Sequence, residues 1–187
     1  MVRRPFQATY FKEPSFNVSK LDIFFAEHRN LRERTAEMEA LATQSEQPTI
    51  AQLNDARWRF TRTLLRTLTM KERIVYPRLR LHPDPKAREI AQRFSESTAV
   101  DYERFANHTK RFPPDVVIGH WPAYAAAVRL RTAEMHERMD REERELFPLL
   151  ENAPEIDALP IPEKNWAADG WRVRDMLGLD PPDDRGA

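Results

Sequence analysis

Apolar residues recur at the spacing of an amphipathic α-helix over four long stretches of this chain. The stretches cover about 19–44, 50–81, 85–112 and 121–150, and the segments that connect them are short. Long helices with short connections pack as antiparallel neighbours. The pattern therefore predicts an all-α protein with an up-down-up-down four-helix bundle.

Capping residues mark where the predicted helices begin and end. Thr49 followed three residues later by Gln52 forms a capping box at the start of the second helix. Asp84, with Pro85 at the first helical position, opens the third helix. The two prolines that follow Phe112 end the third helix, so residues 113–120 are predicted to form a loop.

Two segments of different composition flank the bundle. Residues 1–18 carry several aromatic side chains and are predicted to form an N-terminal arm that packs on the bundle. Residues 151–187 begin with a proline-rich stretch and are predicted to form a C-terminal strap that ends in a short helix. Large apolar side chains should hold this strap in place: Trp166, Trp171, Met176 and Leu177. The predicted domain organisation is an arm, a bundle over 19–150, and a strap.

Two of the helices carry charged residues within the apolar stripe. Glu142 lies in the stripe of the fourth helix with Arg138 four residues earlier on the same side, and Lys71 lies in the stripe of the second. A lone charge in a core costs several kcal/mol, so each of these groups must be paired, coordinated or neutralised. Both helices then close on an aromatic–proline pair, at Tyr76-Pro77 and at Phe147-Pro148.

Composition narrows the classes of function. Thirty basic and thirty acidic residues leave no net charge, so the sequence predicts neither a nucleic-acid partner nor a membrane partner. There is no cysteine, which excludes disulfides and thiolate metal sites. All four glycines follow residue 118, which argues against a phosphate-binding loop. No apolar run approaches ~20 residues and no secretory signal is recognisable, so a cytoplasmic protein is expected.

Two motifs resemble the hemerythrin-like domain family, also described as HHE cation-binding domains. They are EHRNLR over 27–32 in the first helix and EERELFP over 142–148 at the end of the fourth. The resemblance covers about residues 20–150 and respects the helix order and spacing of the family. It implies a four-helix bundle that binds two irons through histidine and carboxylate side chains.

Carried over by position, the resemblance places His28 and Glu142 at two of the family's ligand positions. Other ligand positions hold different residues in this chain: Thr67, Lys71, Tyr102 and Arg138. Lysine and arginine cannot coordinate a metal while they are charged, and one histidine with one carboxylate does not hold two irons. The resemblance therefore implies a member of the family whose di-iron site has been lost.

Two arrangements remain open for these positions. In the first, Lys71, Arg138 and Glu142, together with Asp101, form a buried charge cluster in the former metal cavity, and no cofactor is expected. In the second, both cations turn outward and a rearranged site binds non-haem iron. The residues available to such a site are the following: His28, Glu142, Glu72, Glu143 and His136.

The helix phase directs His28 inward, with Asp101 or Glu142 as the nearest carboxylate. The leading hypothesis is a member of the fold that has lost its metals and acts as a non-catalytic binding or regulatory module. The alternative is a metal-binding hemerythrin-like protein that senses or stores oxygen or iron. A hydrolytic enzyme is a third class, but no nucleophile–base arrangement is recognisable for it. The partner is unknown, and both a homo-oligomer and a protein partner remain open.

Overall fold

The computed structural model describes residues 20–155, 170, 172–175 and 177. The predicted arm and most of the predicted strap, including Trp166, Trp171 and Met176, lie outside these residues. The described part contains helices and no strand, so the all-α prediction is confirmed. None of the helices found there is long and apolar enough to cross a membrane.

In the described residues, the helical segments form two continuous bundle helices, two composite bundle helices and one short connecting helix. In chain order they are α1 (Lys20–Thr43), α2 (Ile50–Met70), a first π-helical segment (Lys71–Val75), α3 (Tyr76–Arg80), α4 (Pro85–Arg111), α5 (Pro114–Gly119), α6 (Trp121–Arg141), a second π-helical segment (Glu142–Leu146) and a 3₁₀ segment (Phe147–Asn152). The second bundle helix therefore runs from α2 through α3, and the fourth runs from α6 to the 3₁₀ segment. The loop prediction for 113–120 was wrong, because α5 occupies most of it. Its Pro114 presets the backbone angle of a first helical residue.

The predicted caps of α2 and α4 are confirmed. The Thr49 hydroxyl accepts a hydrogen bond from the Gln52 N–H, and the Gln52 side chain accepts one from the Thr49 N–H. Asp84 Oδ1 accepts a hydrogen bond of 2.9 Å from the Lys86 N–H. These bonds satisfy N–H groups that have no partner within the helix, so both helices begin where the sequence indicates.

Both π-helical segments lie immediately before an aromatic–proline pair. The ring of a proline inside a helix collides with the carbonyl four residues earlier, and proline has no N–H to donate. The N–H of Tyr76 bonds the carbonyl of Lys71, five residues back, and the N–H of Phe147 bonds the carbonyl of Glu142. The wider turn accommodates each proline without ending the helix. The sequence pattern did not indicate these segments.

Helix α1 packs along both α2 and α6, whereas α4 is held mainly by α3 and by the second π-helical segment. Two apolar clusters lie on either side of the polar residues of the interior. One contains Tyr76, Phe147 and their neighbours, and the other contains Leu31, Leu68 and Met139. Charged groups between these clusters are therefore surrounded by apolar side chains, where unpaired charges are unfavourable.

Candidate functional site

Glu142 is the centre of a buried charge cluster. Its side chain is fully buried, and Oε2 lies 2.5 Å from Nζ of Lys71, whose side chain is 5 % exposed. The other oxygen, Oε1, accepts a hydrogen bond of 2.7 Å from Nε of Arg138, one turn earlier in the same bundle helix. Both carboxylate oxygens therefore contact a cation, and the two cations come from different helices.

The guanidinium of Arg138 extends this cluster to α4. Its Nη1 donates to the Asp101 carboxylate and, at 2.7 Å, to the hydroxyl of Ser97. Its Nη2 donates to the hydroxyl of Thr98 at 2.7 Å and to the carbonyl of Phe94 at 3.0 Å. With the bond from Nε to the carboxylate on its own helix, the guanidinium has a partner for each of its five N–H groups. The structure thus brings together all four residues assigned to a charge cluster.

His28 connects α1 to the cluster from a fully buried position. Its Nδ1 lies 3.0 Å from Oε1 of Glu143, within a hydrogen bond, and its Nε2 lies 3.1 Å from Oε2 of Glu142. The second contact is not aligned as a hydrogen bond. Of the two carboxylates expected beside His28, Glu142 contacts it. The expectation that Asp101 lies beside His28 was wrong. Asp101 is engaged by Arg138, and Glu143 takes its place.

Burial and charge oppose each other in the cluster. Burial acts to raise the pKa of Glu142, but Lys71, His28 and Arg138 outweigh it and hold that pKa far below its ordinary range. Burial lowers the pKa of Lys71, and the attraction of Glu142 opposes this shift. Burial also acts to lower the pKa of Arg138, but Glu142, Tyr76 and Asp101 together outweigh it, so the pKa is raised. The carboxylate is therefore ionised at neutral pH and compensates both cations.

The other positions named from the sequence lie around the cluster or apart from it. Thr67 is fully buried and donates its hydroxyl within its own helix, and Tyr102 is half-buried. Glu72 is half-buried beside Lys71. His136 faces α1, where its Nε2 lies 3.9 Å from Oε2 of Glu39. In the described residues, His136 makes no contact with the cluster, so the structure does not bring it to the rearranged site.

A cavity of about 120 Å³ extends from the cluster between α2, α4 and α6. Lys71, Asp101 and Arg138 line one end of it. Apolar side chains such as Leu64 and Val128 form much of the wall. The cavity follows from the packing of α4, which is close to the bundle at α3 and at the second π-helical segment and diverges from α2 and α6 elsewhere.

Further polar side chains line this cavity, among them three that were given no place in the site predicted from the sequence: Arg57, His108 and Tyr124. Arg57 lies three residues before Phe60 and seven before Leu64, on the apolar stripe of α2. A charge within an apolar stripe was the signal that identified Lys71, and the same signal is present at Arg57. It could therefore have been found from the sequence.

The carboxylates nearest to His28 are engaged by cations. Glu142 contacts Lys71 and Arg138, and Glu143 contacts Arg32 at 3.2 Å. Within the part of the chain that the structure describes, no group of three histidine, aspartate or glutamate side chains is arranged so that it could hold a metal ion. The arrangement can hold opposite charges in the bundle interior and can tie four helices together.

The family model of the hemerythrin HHE cation-binding domain matches this chain over residues 19–150, well over half of its length. The match covers the four bundle helices and every residue of the charge cluster. No curated protein and no solved structure matches the chain at a significant level. The chain therefore belongs to the hemerythrin HHE cation-binding domain family.

Proposed function

We propose that this hemerythrin-like bundle has lost the di-iron site of its family and acts as a non-catalytic binding or regulatory module. In this proposal the charge cluster occupies the place of the metals. The observation that carries it is the contact of both Glu142 oxygens with side-chain cations, Lys71 at 2.5 Å and Arg138 at 2.7 Å. A metal ion would have to compete with a side-chain cation at each oxygen of this carboxylate.

The donor set does not fit a pair of irons. A metal ligand must offer a lone pair, and protonated Lys71 and Arg138 offer none. A metal ion at Glu142 would have to displace both cations from a fully buried carboxylate. It would then share the cavity with them, and the repulsion between like charges is strong in an apolar interior. No step of the proposed function therefore involves iron.

Charge balance explains how the bundle tolerates side-chain cations at the former metal positions. Two cations, Lys71 and Arg138, meet two anions, Glu142 and Asp101, so the cluster as a whole is neutral. A buried ion pair adds little net stability, because desolvation offsets the attraction between its members. Loss of one member is different, since it leaves a buried charge without a partner. The cluster thereby connects the second, third and fourth bundle helices at one level.

The proposal assigns no catalytic role to the cluster. A general base needs a lone pair within hydrogen-bond reach of a substrate. Glu142 is fully buried and held by two cations, and each N–H of Arg138 already has an acceptor. These groups support the positions of the helices, and the interior that they border is available for binding.

Iron analysis of protein expressed in iron-rich medium tests the proposal. We expect far less than one iron per chain in the purified protein, because the cations occupy the ligand positions. A variant that restores the family's residues should gain iron: Thr67→His, Lys71→Glu, Tyr102→His and Arg138→His. About two irons per chain in the unaltered protein, as in a di-iron bundle, would overturn the proposal.

The same measurement separates the proposal from a rearranged iron site. The contacts of His28 with Glu142 and Glu143, at 3.1 and 3.0 Å, place one imidazole beside two carboxylates. About one iron per chain that is lost on His28→Ala would indicate that these three residues bind metal, in the manner of an open three-ligand site. Iron that survives this substitution would indicate non-specific binding to the surface.

A further inference from the structure

Arg57 is a buried arginine with an unpaired N–H group. The residue is 6 % exposed, and its Nη2 donates a hydrogen bond of 2.7 Å to the carbonyl of Phe112. Its Nη1 is buried and has no hydrogen-bond partner. Among the described residues, no carboxylate lies within ion-pair distance of this guanidinium. Burial lowers the pKa of Arg57, and no carboxylate of the described residues opposes that shift.

Tyr124 places a second unpaired polar atom at the end of the cavity that Arg57 lines. The residue is 1 % exposed, and its Oη is buried without a hydrogen-bond partner. The guanidinium carbon of Arg57 lies 5.6 Å from the centre of the Tyr124 ring. Burial raises the pKa of Tyr124 to about 12, so its hydroxyl keeps its proton and can donate a hydrogen bond.

His108 borders this end of the cavity without adding charge. Its ring centre lies 5.7 Å from that of Tyr124 and 5.1 Å from that of Phe112. Burial, followed by the repulsion of Arg57 and two further arginines, lowers the pKa of His108 to about 4. The imidazole is therefore neutral at pH 7, and Arg57 supplies the positive charge at this end.

The two ends of the cavity differ in the charge of the ligand group that they favour. At the end that the charge cluster lines, the charges of Lys71 and Arg138 are compensated by Glu142 and Asp101. At the other end, which Arg57 lines, the charge of Arg57 is not compensated by any described residue. Buried polar groups are normally hydrogen-bonded, and a buried charge is unfavourable without an opposite charge. The uncompensated charge of Arg57 therefore favours an anion beside it, and the compensated charge cluster does not.

We infer that the cavity binds an apolar monocarboxylate of the medium-chain fatty acid class, with its carboxylate between Arg57 and Tyr124 and its chain along the apolar wall. The free Nη1 group and the tyrosine hydroxyl can each donate a hydrogen bond to a carboxylate oxygen. The inference rests on the proposed function in one respect, because it uses the bundle interior as a binding site.

The size and the walls of the cavity support this class of ligand. An apolar cavity of about 150 Å³ in another protein binds benzene, so the space of about 120 Å³ holds only part of a medium-length chain; because the cavity is partly open to solvent, the rest of the chain can extend through its opening. Each methylene buried against Leu64 and Val128 adds affinity, so the ligand should be longer than acetate. A dianion would bring a second negative charge without a second free cation, and an organic cation would be repelled by Arg57.

Titration of the full chain with octanoate, followed by calorimetry and by amide NMR, tests the inference. We expect saturable binding of octanoate, with the largest chemical-shift changes around Arg57 and Tyr124. Octylammonium and methyl octanoate have a similar apolar chain with a positive and an uncharged head, and they serve as controls. Octylammonium should not bind, and the methyl ester should bind at least about 10-fold more weakly, because the bond to a charged group is lost.

Three variants separate the head group site from the apolar wall. Arg57→Gln should weaken octanoate binding by about 10- to 100-fold, and Tyr124→Phe by about 2- to 10-fold. Leu64→Phe fills the cavity and should reduce binding without altering either polar group. Tyr124→Phe removes one oxygen and keeps the ring, so it tests the site even if Arg57→Gln does not fold. Melting curves show whether each variant is folded.

The outcomes are distinct from those of the iron analysis. Octanoate binding that is matched by the methyl ester, or unchanged in both Arg57→Gln and Tyr124→Phe, would overturn the inference by showing an apolar cavity without an anion site. Absence of saturable binding would also overturn it. An iron-loaded protein that binds octanoate would overturn the proposed function alone. An iron-free protein that does not bind octanoate would overturn this inference alone.

Discussion

Lys71 and Glu142, whose charged groups lie 2.5 Å apart, occupy equivalent places in their two helices. Each is the first residue of a π-helical segment, and each segment is followed at once by an aromatic–proline pair. The carbonyl of each accepts the N–H of the aromatic residue five positions later. A cation at one of two equivalent positions and an anion at the other form a compensated pair, whereas two like charges would repel each other.

Removal of the Glu142 charge should destabilise the fold. Glu142→Gln keeps the size of the side chain and leaves Lys71 and one N–H of Arg138 without an opposite charge. We expect the free energy of unfolding to fall by about 3–5 kcal/mol, the range for breaking a buried ion pair. Urea unfolding measures the change. Glu145→Gln, at a more exposed position three residues later, is the matched control and should leave stability unchanged. Equal stability of the two variants would contradict the buried cluster.

A double-mutant cycle should show that Lys71 and Glu142 act as a pair. Lys71→Met alone leaves the carboxylate with one cation fewer, and Glu142→Gln alone leaves the ammonium unpaired. In the double variant neither charge is stranded, so its loss of stability should be smaller than the sum of the two single losses. We expect a coupling energy of about 1–3 kcal/mol from urea unfolding of all four proteins. Additive losses would show that the two side chains do not interact in solution.

Most members of the charge cluster could be predicted from the sequence, because the signals for them lie within single helices. Lys71 and Glu142 interrupt apolar stripes, and corresponding motifs in the two helices indicate that these positions meet. The contacts of Arg138 with Ser97 and with the carbonyl of Phe94 were not accessible, because they depend on how α4 is rotated against α6. Stripes indicate which face of a helix is buried, but they do not fix that rotation.

The cavity and the π-helical segments were not predicted. A single π-helical turn shifts the helical phase by about one residue, and an apolar stripe about 100° wide does not reveal that shift, so Lys71–Val75 reads as ordinary helix. The spacing between two helices depends on the side chains of both, and no pattern within α4 shows that it diverges from α2. Arg57 is a different case, since its place on an apolar stripe was readable. Only the structure shows that it has no described carboxylate partner.

His108 should make the stability of the protein depend on pH in the mildly acidic range. Its pKa is about 4 in the folded chain against about 6.5 in the unfolded chain. Between these values the unfolded state binds more protons than the folded state, so stability is lost as the pH falls from about 6.5 to about 4. The loss attributable to His108 is at most about 3 kcal/mol. Urea unfolding at a series of pH values measures it.

His108→Gln should flatten this pH dependence, because the amide does not titrate. His120, exposed at the start of α6, provides the matched control, and His120→Gln should leave the slope as it is in the unaltered protein. Glu142 stays ionised in the folded state throughout this range because its pKa is lowered there, and in the unfolded state it is largely ionised only above about pH 5.5, so the slopes are compared above that pH. A slope that is the same with and without His108 would show that this imidazole is not buried as described.

Leu177 should contribute to stability although it lies far along the chain from the bundle helices. It is 1 % exposed and lines the cavity, and its carbonyl accepts a hydrogen bond of 3.0 Å from Nδ2 of Asn54 in α2. Leu177→Ala should lower the free energy of unfolding by about 2–5 kcal/mol, the range for a buried leucine.

A chain that ends after Glu155 should melt at a still lower temperature and bind more of a hydrophobic dye, because the cavity loses part of its wall. Leu81→Ala, at a position 61 % exposed, is the control and should change stability by less than about 0.5 kcal/mol. Unchanged melting of both Leu177→Ala and the shortened chain would show that the C-terminal residues do not pack on the bundle.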